Sequence, residues 1–169
     1  ASRNIGIKKA QHEYIAFLDA DDIYLPNRFD VEKKILSNDK IDGVDGALGV
    51  RYSDENTKKK YSNKFGNRLT TVNRFIPPEE LIYCLLNMSK NFNGYFTLNT
   101  WTVKKELIQA VGGFNQKLIV HEDSDLIKKL AIKGKLVSGI INHPIGLRTI
   151  HYSNTISSGK ISSHSRYLE

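Results

Sequence analysis

Tyr14-Ile15-Ala16-Phe17-Leu18-Asp19-Ala20-Asp21-Asp22 is the stretch whose reading decides the fold. A compact apolar run ends abruptly in acids. A run that short and unbroken suits a strand of a parallel sheet, which is covered on both faces. In open α/β sheets, ligands bind beyond the carboxyl ends of the strands, where Asp19, Asp21 and Asp22 fall. Three carboxylates crowded there repel one another unless a cation or solvent relieves them. Hard oxygen ligands suit Mg²⁺ or Mn²⁺, which bridge one or two carboxylates to substrate phosphates. Such an ion neutralises charge building on a diphosphate leaving group.

Other readings of the same residues fare worse. A calcium loop starting at Asp19 wants an oxygen ligand at its fifth position and Gly at its sixth, where Ile23 and Tyr24 stand. A phosphatase of the haloacid-dehalogenase type also opens with Asp-x-Asp after an apolar strand, but its following Gly-Thr is here Asp22-Ile23. Acids capping a helix near Pro26 account for Asp22, not for all three.

Working outward, residues 2–10 read as a short helix. Pro26 suits the first turn of another, with Phe29, Ile35 and Leu36 as its buried side. Residues 43–52 read as one strand, and 53–76, polar and lysine-rich, as a long loop. Pro77-Pro78-Glu79-Glu80 opens a helix running to about Met88. A strand over 100–103 and a helix over 105–111, stopped by Gly112-Gly113, come next. A helix over 121–133, with acids first and lysines last, ends at Gly134. Strands over 136–141 and 145–150 and a serine-rich tail over 153–169 complete the chain. This alternation predicts an α/β fold with a largely parallel sheet flanked by helices.

Composition narrows the function classes. The 169 residues are 40% hydrophobic and 25% charged, a globular balance, with no apolar run near the ~20 residues that cross a bilayer. Cys84 is the only cysteine and lies in an apolar run, so it reads as a buried thiol and excludes both an intrachain disulfide and a Cys-pair zinc site. The net charge is +7, but the lysines are scattered and not interleaved with aromatics, which argues against nucleic acid.

The resemblance rests on two segments. Ala1-Ser2-Arg3-Asn4-Ile5-Gly6, followed by the acidic strand end and Pro26, resembles the family 2 glycosyltransferases: an Arg-Asn-x-Gly helix start, then Asp-x-Asp. Val111-Gly112-Gly113-Phe114-Asn115 and then His121-Glu122-Asp123-Ser124 resembles their second signature, a Gly-Gly-Phe turn leading to a Glu-Asp pair. The resemblance implies a partial GT-A fold over 1–152, with a metal and diphosphate part (1–52) and an acceptor and catalytic part (77–152). It implies Mn²⁺ or Mg²⁺ held by Asp21, Asp19 and His151, and a donor contacted by Arg3, Asp19 and Arg148. Asp123 matches the family's base and Glu122 shapes the acceptor pocket.

Read by themselves, acids in a first helical turn are equally caps, and Asp125 belongs to the helix surface. Trp101 suits either a sugar-stacking ring or a core residue. His12, His121, His143 and His164 receive no role. The implied reaction is an inverting, metal-dependent transfer from a nucleotide-diphosphate sugar, a UDP-sugar by preference, to a saccharide or lipid-linked hydroxyl. It belongs to polysaccharide or glycolipid synthesis in the cytoplasm, at the inner face of the membrane. Against the family pattern, the chain opens with a helix, so the strands that grip the base are expected outside these residues. The absence of Gln-x-x-Arg-Trp argues against a processive synthase. The alternative is an inactive acceptor-binding module that self-associates through an exposed sheet edge.

Overall fold

The computed structural model describes residues 2–26, 28–66, 69 and 72–152. The 153–169 tail therefore lies outside the described residues. The fold is α/β, with strands in two sheets. The four-stranded sheet has the order β1 (Tyr14–Ala16), β5 (Thr102–Lys104), β3 (Gly43–Asp45), β6 (Leu136–Ser138). β5 runs antiparallel to both neighbours and β3 parallel to β6, so three of the four strands point the same way. The three-stranded sheet places β7 (Pro144–Ile150) between β2 (Ile23–Tyr24) and β4 (Ala47–Tyr52), parallel to β4 and antiparallel to β2.

The single strand expected over 43–52 is thus two strands in different sheets. The break is Gly46, which passes so close to β7 that an added Cβ would sit 2.4 Å from Ile145 Cδ1. The loop expected over 53–76 is corrected in its first half, which is helix α3 (Glu55–Phe65). Its cap is Asp54, whose Oδ1 accepts the Thr57 backbone N–H at 2.8 Å.

The other helices fall where the sequence put them, slightly trimmed: α1 (Ser2–Lys9), α2 (Asp30–Leu36), α4 (Pro78–Leu85), α5 (Lys105–Ala110) and α6 (Glu122–Lys133). α2 begins beyond Pro26 because Ile23 and Tyr24 pair first with β7, and Phe29 is partly exposed. One core joins Ile15 and Val103 of the sheet to Leu81, Ile108, Leu126 and Leu130 of the helices. Cys84 is buried in it, as expected. No helix among the described residues is long and apolar enough to cross a membrane.

Candidate active site

β1 ends at Ala16, and the three acids that follow point three ways. Asp19 accepts from Arg3 Nη2 at 2.9 Å on one oxygen and from Asn99 Nδ2 at 3.2 Å on the other. Asp22 is buried, accepting the Thr149 backbone N–H at 2.8 Å and a second bond from Asn99 Nδ2. Burial pushes its carboxyl above the ordinary range, against the pull of the Thr149 bond. Asp22 therefore does not cap α2; it ties the strand-end loop to β7. Asp21 faces His151, whose Nε2 is 2.8 Å from Oδ2, and this bond holds the Asp21 carboxyl below the ordinary range.

The start of α1 meets the second signature. Asn4 donates to the Phe114 carbonyl and accepts the Phe114 N–H, each at 2.9 Å. Gly112 and Gly113 both have positive φ, and a Cβ on Gly113 would stand 2.7 Å from Asn4 Oδ1, so a side chain there would be strained. Lys129 of α6 donates to the Gly113 carbonyl at 2.8 Å. One residue before Asn4, Arg3 Nη1 donates to Glu122 at 2.8 Å, so Arg3 spans the acids of both signatures. Its guanidinium also lies 5.5 Å from the Phe114 ring, which meets Phe17 edge-on.

His121 precedes α6 in the left-handed region (φ 64), and Glu122 and Asp123 occupy the first turn, where the helix dipole favours negative charge. Asp123 accepts the Ser124 N–H at 2.7 Å, and Asp125, partly buried rather than on the open helix surface, pairs with Lys129 at 2.9 Å.

A cavity of about 680 Å³ gathers Arg3, Asp19, Asp22, Glu122, Asp123 and Arg148. Its lining also includes the apolar and aromatic side chains of Tyr95, Phe96, Ile119 and Val120. Another cavity of about 540 Å³, beside β1 and α2, contains none of the expected site residues. Trp101 requires correction: it is 0% exposed in the main core, so no ring face is open to a sugar.

Among the described residues, no three His, Cys, Asp or Glu side chains gather as a metal cage. Asp21 and His151 supply one oxygen and one nitrogen side by side, while Asp19 is turned to Arg3 and Asn99. That donor pair fits a divalent ion drawing its other ligands from phosphate and water.

Asn4, Asn99 and Thr149 carry the site without having been singled out. Asn4 stood inside a motif whose arginine drew attention. Thr149 likewise stood between Arg148 and His151, which drew attention, whereas Asn99 has no motif; their partners lie 77 to 127 positions away.

Known proteins share parts of this sequence and this fold. An uncharacterized glycosyltransferase of Haemophilus influenzae is 23% identical over 150 residues, covering 89% of this chain and 46% of that protein. One from Rickettsia bellii is 41% identical over 41 residues, covering 24% of this chain and 6% of that protein. The crystal structure of S. aureus TarS 1-349 in complex with UDP-GlcNAc superposes with a TM-score of 0.60 at 16% identity. It matches 95% of this chain and 41% of that one, and shows that the fold is shared. The chain thus spans less than half the length of these relatives. The sequence profile described as "Glycosyl transferase family 2" matches residues 1–99. The chain belongs to glycosyl transferase family 2.

Proposed function

We propose that this chain carries the metal, diphosphate and acceptor parts of an inverting glycosyltransferase that uses a nucleotide-diphosphate sugar. The observation that carries this reading is the single cavity shared by Asp19, Arg148, Glu122 and Asp123. The donor class is supported by family membership and by the UDP-GlcNAc bound to the structural neighbour.

Arg148 at the cavity wall suits the diphosphate. Asp21 and His151 would hold Mn²⁺ or Mg²⁺, which when bound supplies charge neutralisation for the leaving diphosphate. Asp123 removes the acceptor hydroxyl proton as that oxygen bonds to the anomeric carbon. The carbon–oxygen bond to the diphosphate breaks, and its electron pair leaves with the nucleotide. Arg3 joins Asp19 to Glu122 and so keeps the donor and acceptor sides in register. A saccharide or lipid-linked acceptor in polysaccharide or glycolipid synthesis, at the cytoplasmic face of the membrane, suits this chemistry.

The test is calorimetric titration with UDP and GDP, with and without Mn²⁺, beside transfer assays of Asp123→Asn in the full-length protein. Metal-dependent binding with transfer reduced about a hundredfold or more supports the assignment. Near-normal turnover in Asp123→Asn removes Asp123 from the mechanism. A second reading rests on β1 standing, among the described residues, at the outer edge of its sheet. In that reading the chain self-associates there, and silence towards both nucleotides with concentration-dependent dimerisation would favour it.

A further inference from the structure

The apolar wall of the active cavity does not end with it. Tyr95, Phe96 and Ser124 also line a neighbouring cavity of about 160 Å³, bounded further by Asn87, Phe92 and Lys128. Tyr95 stands between the two spaces and is 49% exposed, while Ile119 on the rim of the larger one is 55% exposed. Tyr95 follows Gly94, whose φ of 128° turns the chain at this point. Its neighbour Phe96 stacks on Phe92 and tilts against buried Trp101, each at 5.8 Å. The wall behind Tyr95 is therefore part of the core, while its own ring reaches solvent.

A half-exposed ring lining the same cavity as carboxylates is the chemistry of carbohydrate binding. The ring covers the apolar face of a pyranose, and the acids accept its hydroxyls. We propose that Tyr95 is the stacking platform of an extended saccharide groove: the reacting sugar lies beside Glu122 and Asp123, and the next unit crosses Tyr95 towards Lys128. This rests on the glycosyl-transfer reading above and narrows its acceptor to an oligosaccharide of at least two units. It also gives the aromatic role expected of Trp101 to a residue that solvent can reach.

The experiment uses the full chain and saturation-transfer NMR with mono- to pentasaccharides of the chito-, malto- and cello- series. It compares wild type, Tyr95→Phe and Tyr95→Ala, with UDP titrated separately by calorimetry. In at least one series, binding should tighten about tenfold from the monosaccharide to the di- or trisaccharide, with transfer from tyrosine ring protons. Tyr95→Phe should keep that gain and Tyr95→Ala should lose it, while both bind UDP as wild type does. A gain untouched by Tyr95→Ala, equal binding at every length, or no binding in any series overturns the groove. UDP binding without a length effect defeats the groove alone. A length effect without UDP binding defeats the donor assignment and leaves the groove standing.

Discussion

Arg28→Met tests the buried polar group that holds Thr100, the residue after Asn99 of the candidate site. Arg28 and Glu32 are 1% and 2% exposed and pair at 3.1 Å. Arg28 also donates to the Thr100 carbonyl at 2.9 Å and to Thr102 Oγ1 at 3.2 Å. Thr102 in turn donates to Glu32, and Thr100 to the buried Asp45. Burial pushes the Glu32 and Asp45 carboxyls each up to about 7, partly offset by Arg28. Near pH ~8 both are ionised, and removing the cation strands them, at a cost of about 3–5 kcal/mol. Near pH ~5 both are protonated, and the loss reduces to two hydrogen bonds, about 1–3 kcal/mol. The assay is urea unfolding of wild type and variant at both pH values. A destabilisation that is the same at both, or below about 1 kcal/mol at the higher pH, refutes the reasoning. Because both folded pKa values are raised, the wild type gains stability below the unfolded range and loses it as pH rises through about 7. Its own unfolding midpoint should therefore be higher near pH ~5.5 than near pH ~8.

Asn4→Ala removes both bonds to Phe114 and leaves a backbone donor and acceptor unpaired; urea unfolding should show a loss of about 2–3 kcal/mol. Gly113→Ala strikes the same staple from the other side, through its positive φ and the 2.7 Å approach to Asn4; thermal unfolding should show a lower midpoint than for Gly112→Ala, where no atom lies within 4 Å. His121→Asn should keep wild-type stability, since Asn accepts left-handed backbone, whereas His121→Val should cost about 1–2 kcal/mol and transfer activity with it. His151→Ala should weaken Mn²⁺-dependent UDP binding in calorimetry while leaving the unfolding midpoint near wild type.

What the sequence disclosed depended on the range of the interaction. β1, α1, α5 and α6 were legible because each has its own apolar run, proline, glycine or acidic first turn. β2 was not, because two residues, Ile23 and Tyr24, are a strand only through pairing with Leu147 and Gly146. The β3–β4 break was hidden for a similar reason: Gly46 reads as an ordinary strand glycine until Ile145 is packed against it. α3 did carry a local signal, Asp54 followed by Glu55, which its lysine-rich composition masked.

The site divides the same way, and the division explains how two separate motifs meet in one cavity. Asp19, Glu122 and Asp123 were visible as residue types, but nothing in their spacing says that one arginine reaches both strand end and helix start. Arg3 and Asn4 sit side by side on α1, yet one grips the acids and the other the glycine turn. Adjacent helical residues point in different directions, about 100° apart, so the dipeptide addresses two partners without moving. Moving the Gly-Gly-Phe turn would strain Asn4, while moving the first turn of α6 would pull Arg3 from Asp19. The acids of the strand end and of the α6 start are therefore fixed to a single helix start, and under the proposed function a substitution at Asn4 should disturb transfer although Asn4 does not line their shared cavity.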